Sequence, residues 1–205
     1  MGSNRLWGIT AILTHQARAM GLHAADAPVR RNERPSWVPL NLLPPANHHA
    51  VSEERRRAFW AIFFLSTHVS LSTGWSSPCS MEDIDLKLPC LEEDFQLSRE
   101  SQARYFTQLK PERGIAPVDE PTDIWSRCVE GCAMLNLVCS WLQVPWDQSN
   151  PSARTKREME GFQLADNFQG WWRSLPERTI SLKFANTKNS GQMILLHGFY
   201  YTYIN

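Results

Sequence analysis

The sequence has no excess of charge of either sign: 21 Lys and Arg side chains balance 21 Asp and Glu side chains. A domain that holds nucleic acid through its phosphates usually carries a basic excess. The balance therefore disfavours direct DNA binding by these 205 residues.

Long apolar runs are also missing. The longest run covers residues 58–65, whereas a membrane-spanning helix needs about 20 apolar residues. Near the N-terminus there is one early basic residue, Arg5, but there is no sustained apolar stretch and no small-residue cleavage site. The sequence thus predicts neither a membrane span nor a secretory signal.

Cysteine is scarce and has no framework spacing. The five cysteines are an odd number, and no two are separated by only two residues, which is typical of reduced thiols in the cytosol or nucleus. Cys128, Cys132 and Cys139 fall on one helical face with no histidine nearby to complete a metal site. We expect them to be buried as small apolar groups, and we expect no metal site.

Catalytic motifs are absent as well. There is no glycine-rich phosphate loop and no Gly-x-Ser-x-Gly nucleophile motif beside the adjacent His48 and His49. We predict no catalytic residues and no cofactor in this chain, and we do not expect it to be an enzyme. Its ligand-binding residues are unknown from the sequence.

What is present is helical periodicity, beginning with residues 4–20. One face at steps of three and four holds Leu6, Ile9, Leu13, Ala17 and Met20. Gly21 follows at the position of a left-handed C-terminal cap. Prolines then interrupt any regular pattern, so residues 24–51 are predicted to form a long loop.

The clearest helix starts near Ser52, the predicted N-cap, with Glu53 and Glu54 in its first turn. Glu53 and Arg57 are spaced for an ion pair, and the Arg55–Arg57 triplet is interpreted as a source of ion pairs within and between helices. Residues 58–65 are apolar on nearly every side, which predicts a position in the middle of a bundle. Gly74 ends this helix.

The remaining segments complete an all-α pattern. Residues 75–121 are predicted to be an irregular connection, with an acidic loop at residues 81–85 and a short helix candidate at residues 98–109. Further helices are expected at residues 124–142, capped by Thr122 and Asp123, at 153–174 and from 191 onward. We predict an irregular helical bundle in which residues 1–205 are one incomplete portion of a larger helical domain.

Three signature stretches, at residues 7–23, 54–89 and 172–201, together resemble a known family, the fungal-specific transcription factor domain, or middle homology region, of zinc-cluster activators. The order and spacing of the stretches fit from residue 5 to the end. The family usually has Asp-Arg where this chain has Ser66-Thr67. The signature residues, taken as structural, are Gly21, Leu22, His23, Glu54, Arg55, Arg56, Arg57, Phe59, Trp60, Gly74, Asp85, Leu88, Pro89, Trp172, Leu175 and Pro176.

The resemblance implies a regulatory or interaction module that controls transcription by RNA polymerase II in the nucleus. In the family a separate six-cysteine cluster holding two zinc ions binds the DNA. These five cysteines cannot build such a cluster, so we expect zinc and DNA contact only in a domain missing from this chain. The partners implied are other transcription-regulatory proteins or a small-molecule effector.

Two other functions stay open at the level of sequence. The acidic run at Glu82, Asp83 and Asp85 is similar to the magnesium motif of all-α enzymes such as terpene synthases, although a solvated turn is the more ordinary interpretation. The second alternative is that the chain is a non-functional truncated remnant.

Two smaller clusters also have a second interpretation. Arg30, Arg31 and Arg34 could be a localisation signal or a solvated loop. Phe168, Trp171 and Trp172 could line a ligand pocket or belong to the core.

Overall fold

The computed structural model describes residues 2–26, 43–100, 102–115 and 123–204. The arginine cluster at residues 30–34 and most of the predicted loop at 24–51 lie outside these ranges. Within them there is no β-strand, and a single isolated bridge joins Lys87 to Tyr105. The prediction of an all-α fold is confirmed.

Seven α-helices and four short 3₁₀ helices make up the described part of the chain. The α-helices are α1 (Gly2–Ala19), α2 (His49–Thr73), α3 (Glu92–Gln96), α4 (Ile124–Gln143), α5 (Pro151–Ser174), α6 (Glu177–Ile180) and α7 (Ser190–Ile204). The 3₁₀ helices are Leu22–Ala24, Phe106–Gln108, Pro111–Arg113 and Leu182–Phe184. None of these described helices is long and apolar enough to cross a membrane.

The chain divides into two compact units. The first unit comprises Met1–Thr73 and Pro78–Gln108, and the second comprises Gly74–Ser77 and Leu109–Asn205. The first is organised by α1 packing along α2, and the second by α4 packing against α7. That the whole chain is one partial domain stays a prediction.

Helix α1 has the predicted bounds to within two residues, but its most buried face is not the apolar face that the periodicity identified. Gly21 adopts the left-handed conformation expected of a cap, with φ 74°. Thr10, Thr14 and Ala17 are buried, whereas about half of the surface of Leu6 and Ile9 is exposed.

The reason lies on α2, whose facing surface is made of hydroxyl side chains. The Thr14 and Ser66 hydroxyl oxygens lie 3.1 Å apart in a buried hydrogen bond. Ser66 and Thr67 are both fully buried, at the position where the family usually has Asp-Arg. Small hydroxyl groups that satisfy each other allow α1 to bury its polar side at this interface.

Helix α2 departs from its prediction at the start and around its circumference. It begins at His49, so Ser52 lies inside the first turns instead of capping them. Phe59, Trp60, Phe63 and Phe64 are buried as expected, but the opposite face is exposed at Ala58, Ala61 and Leu65. The helix therefore lies at a surface, not in the middle of a bundle. It ends before Gly74, whose φ of 70° is left-handed.

The irregular connection contains a short helix at a different place from the one predicted. Helix α3 occupies residues 92–96, and the described residues between 98 and 109 contain a 3₁₀ turn but no α-helix. Three acids in the first turn of α3 favour helix at that point. Ser98 follows with a positive φ of 49°, which ends the helical path.

The later helices follow the sequence signals closely. The Asp123 side chain caps α4 by accepting a hydrogen bond from the Trp125 amide at 2.8 Å, and the helix stops two residues before Pro145. Asn150 caps α5, with Pro151 at its first position. Cys128, Cys132 and Cys139 are buried, as predicted, and Leu142 at the end of the same stripe is exposed.

Candidate functional site

The arginine triplet near the start of α2 sends its three side chains to different partners, because successive helical residues are about 100° apart. Arg56 points inward and is 5% exposed. Arg57 is half-buried, and Arg55 donates from Nη1 to the Pro44 carbonyl at 2.8 Å. Ion pairing is confirmed for Arg56 and Arg57, while Arg55 bonds a backbone carbonyl instead.

Arg56 is the centre of a buried charge network. Its guanidinium donates two hydrogen bonds to Asp26, from Nε to Oδ2 at 2.7 Å and from Nη2 to Oδ1 at 2.8 Å. It also donates from Nη1 to Glu53. Burial alone would lower the pKa of Arg56, but the bonds and charges of Asp26 and Glu53 outweigh it and raise the pKa above its ordinary value. The guanidinium is therefore a permanent internal cation.

Glu53 is the acidic counterpart of this network and is 2% exposed. Its Oε1 accepts from Arg57 Nε at 2.9 Å, which is the predicted pair, and from the Cys90 amide at 3.0 Å. Arg57 reaches on to Glu92 at 2.8 Å, and its guanidinium lies 4.2 Å from the centre of the Phe95 ring. The Glu53 carboxylate thus links α2 to Cys90, at the start of the segment that contains α3.

Asp26 connects the network to the segment after α1. Its carboxylate accepts from the Lys87 amide at 2.9 Å, and its carbonyl accepts from the Tyr105 hydroxyl at 3.2 Å. Burial, with the charges of Asp26 and Asp85, raises the pKa of Tyr105. Nearby, the Asp85 amide donates to the His23 carbonyl at 2.9 Å. The first two signature stretches therefore meet in one place.

An aromatic cluster completes this place in the first unit. Trp60 donates from its indole nitrogen to the Lys87 carbonyl at 3.0 Å, and its ring centre lies 5.1 Å from Phe106 and 5.6 Å from Phe63. Leu88 and Pro89, the closing signature residues, are buried. We call the Asp26, Glu53, Arg56 and Arg57 network with this aromatic cluster the α2 junction.

The third signature stretch lies in the second unit. Trp172 stacks on Tyr200 with ring centres 4.2 Å apart and planes 21° apart, and the His197 ring meets Trp172 edge-on at 5.3 Å. The Leu175 amide closes α5 by donating to the Trp172 carbonyl. Leu175 is buried and Pro176 is exposed. These residues form the turn that follows α5.

A second buried carboxylate, Glu130 on α4, was not singled out by the sequence analysis. It is fully buried and accepts bonds from Arg127 at 3.0 Å and from the Trp171 indole nitrogen at 2.8 Å. The Arg127–Glu130 spacing of three was a local signal, but the tryptophan lies 41 residues away. Phe168 and Trp171 are both buried, which favours the core interpretation over a ligand pocket.

The remaining candidates are not brought together. Glu82 and Asp83 are exposed in a turn, where Asp83 pairs with Arg18, and His48 and His49 are exposed. Glu54 of the signature is exposed on α2. In the ranges that the structure describes, no group of three or more His, Cys, Asp or Glu side chains is placed to hold a metal ion.

Buried thiols give the first unit a predicted sensitivity to alkali. Burial raises the pKa of Cys79 and of Cys90 from 9.0 to about 12; the nearby charges of Asp83 and Glu53, respectively, also raise it. The unfolded chain releases these protons near pH 9, and the folded chain only near pH 12. We therefore expect the free energy of unfolding to fall as the pH rises through this window. Below the window the thiols are protonated in both states, so they add no pH dependence to the stability.

Urea denaturation at a series of pH values from neutral to about 11 measures this slope. The Cys79→Ala and Cys90→Ala variants are expected to lose less stability between neutral and alkaline pH than the parent chain. Equal slopes in all three proteins would contradict the assignment, since Lys and Tyr side chains titrate in all of them.

Comparison with models of known protein families gives a match. A family model described as the fungal specific transcription factor domain matches residues 3–172. No curated protein and no solved structure was found to match the chain.

Proposed function

Because the chain belongs to the fungal specific transcription factor domain family, we propose that it is the regulatory and interaction module of a zinc-cluster transcription factor. In this proposal the module works in the nucleus and tunes transcription by RNA polymerase II. The observation that carries it is the family match across residues 3–172. That family is one of transcription factor domains, not of enzymes.

DNA recognition is assigned to a six-cysteine zinc cluster outside these 205 residues. The charge balance of the chain and the burial of its five cysteines support this division of labour. The thiol of Cys79 or Cys90 would have to leave the core and lose its proton before it could bind zinc. The partners proposed for the module are transcription-regulatory proteins or a small-molecule effector.

The α2 junction supports a structural role, in which these residues hold segments of the chain in a fixed arrangement. Its charged groups are engaged with each other: Asp26, Glu53 and Arg56 are bonded to groups of the same unit. Charged groups that satisfy each other inside a fold act by fixing how segments meet. A regulatory module needs such a fixed arrangement, together with a second one of similar energy that a ligand or partner can favour.

A reporter assay tests the regulatory role. The 205-residue chain is placed between a heterologous DNA-binding domain and a constitutive activation segment in a fungal cell. We expect reporter output to fall severalfold relative to a fusion with an inert linker of similar length. The Arg56→Met variant, matched for expression, is expected to restore output, while Arg55→Met is expected to behave as the parent. Equal output from all fusions would overturn the proposal.

Two measurements on the purified chain separate this function from the alternatives. Gel-shift titration is expected to give no salt-resistant, sequence-selective band, and such a band would overturn the assignment of DNA binding to another domain. A magnesium-dependent enzyme would instead gain thermal stability from Mg²⁺ with an isoprenoid diphosphate. We expect no such gain, because the acidic turn offers no cluster of ligands.

A further inference from the structure

The segment that joins α6 to α7 is open to solvent. Residues 182–188 are all exposed, and the apolar side chains of Leu182 and Phe184 are 58% and 44% exposed. The segment contains one turn of 3₁₀ helix and a further turn before α7 begins at Ser190. An exposed connection of this kind is the part of a fold that the cleft of another enzyme can most easily receive.

Ser181 is the first residue of this segment and is half-buried. Its backbone is extended, with φ −85° and ψ 116°. The element before it, Glu177–Ile180, is a single helical turn that closes where the Ser181 amide donates to the Glu177 carbonyl at 2.8 Å. A single turn has little stability of its own. The chain on the N-terminal side of Ser181 can therefore open to an extended conformation at small cost.

The side chains around Ser181 have the pattern that basophilic protein kinases, those that select basic substrates, recognise. Arg178 lies three residues before Ser181 and is exposed, and the exposed Leu182 follows Ser181 directly. Such a kinase presents carboxylates to an arginine at this spacing and an apolar pocket to the residue after the serine. Both recognition elements are thus on the surface, on either side of one hydroxyl group.

The same spacing also links Arg104 to Thr107, but the structure does not favour recognition there. Arg104 is half-buried, and Phe106, directly before Thr107, is 5% exposed. Thr107 lies inside a 3₁₀ helix, and the residue after it is the polar Gln108. A kinase cleft would have to pull an aromatic side chain out of the core to bind this segment. We expect Thr107 to stay unmodified in the folded chain.

The reaction at Ser181 needs ATP as the phosphoryl donor. The Ser181 Oγ attacks the γ-phosphorus, a new P–O bond forms, and the bond from that phosphorus to the β–γ bridging oxygen breaks. ADP leaves with the electron pair, and the hydroxyl proton passes to a carboxylate base of the kinase. The product carries about two negative charges where the parent chain has a neutral hydroxyl.

We propose that Ser181 is a phosphorylation site for a basophilic serine/threonine kinase. The phosphate repels Glu177 and attracts Lys183, which form an exposed ion pair in the parent chain. The carbonyl of Ile180, the residue directly before Ser181, accepts a hydrogen bond from Nε2 of His197 at 2.7 Å, so the modified residue adjoins a contact between α6 and α7. This inference goes beyond the proposed regulatory function. Its test has no transcriptional readout, so either proposal can fail without the other.

Incubation of the purified, folded chain with ATP, Mg²⁺ and the catalytic subunit of cyclic-AMP-dependent protein kinase tests the proposal. We expect one phosphate per chain by intact mass, mapped by fragmentation to Ser181, and no phosphate at Thr107. Ser181→Ala is expected to abolish incorporation. Arg178→Gln is expected to slow incorporation at least about tenfold, because one charge-assisted contact with the kinase is lost.

Arg173→Gln is the matched control, since it also removes an exposed arginine of the second unit but at a position that the kinase cleft does not select. It is expected to leave the rate unchanged. Leu182→Asp is expected to slow the reaction, because a carboxylate is costly to place in an apolar pocket. Circular dichroism before each assay checks that the variants are folded. Equal rates for Arg178→Gln and Arg173→Gln, phosphate mapped to another residue, or no incorporation into the folded parent chain would overturn the proposal.

Discussion

The Arg56→Met variant is expected to lose about 3–5 kcal/mol of unfolding free energy, the largest effect anticipated for the first unit. Methionine retains most of the volume but removes the cation that pairs with Asp26, while Glu53 keeps its pair with Arg57. Removing one partner of a buried ion pair leaves an uncompensated charge in a medium that solvates it poorly. Urea denaturation at neutral pH, followed by circular dichroism, measures the loss.

The neighbouring arginine provides the matched control. Arg55→Met removes a bond to the Pro44 carbonyl and is expected to change stability by less than about 1 kcal/mol. Combining Arg56→Met with Asp26→Asn should cost clearly less than the sum of the two single losses, because both break the same contact. If Arg56→Met cost no more than Arg55→Met, the network would be as weak as a surface ion pair.

Glu130→Ala is expected to have a comparable effect in the second unit, about 3–5 kcal/mol. The carboxylate is fully buried and accepts bonds from both Arg127 and the Trp171 indole. Its removal takes a charge partner from a buried arginine, takes a hydrogen-bond acceptor from a buried indole, and leaves a cavity. Thermal and urea unfolding of the purified chain report the change.

A conservative variant and a surface variant are the controls for Glu130→Ala. Glu130→Gln keeps a carbonyl acceptor for Trp171 but removes the charge, so its loss should lie between those of the alanine variant and the parent. Glu158→Ala, at an exposed position of α5, should stay within about 0.5 kcal/mol of the parent. Equal stability of the Glu130 and Glu158 variants would show that the buried carboxylate contributes nothing.

The two predictions differ in how far the sequence anticipated their sites. The Glu53–Arg57 pair was predicted because a spacing of four places both side chains on one side of a helix. Asp26 was not predicted as a partner, since it lies 30 residues from Arg56, at the edge of a proline-rich stretch. Glu130 was not predicted to be buried, because no residue near it in the sequence indicates that Trp171 covers it.

The buried faces of the helices were hidden from the sequence for the same reason. Periodicity identified an apolar face on α1, yet the helix buries Thr10 and Thr14. The α2 surface that receives them offers hydroxyl groups, and a hydrogen-bonded polar interface can replace an apolar one. A run apolar on every side likewise did not put α2 in the middle of a bundle, because alanine at positions 58 and 61 is small enough to be exposed at little cost.

By itself, the sequence determined the helical class, most helix ends, the left-handed cap at Gly21, the cap at Asp123, and the family. These follow from interactions between residues a few positions apart, or from motifs that can be compared directly. Only the tertiary structure decided which side of each helix is buried, and that Asp26, Glu53 and Arg56 share one junction. Such contacts join residues tens of positions apart, and their energy depends on which surface each helix meets.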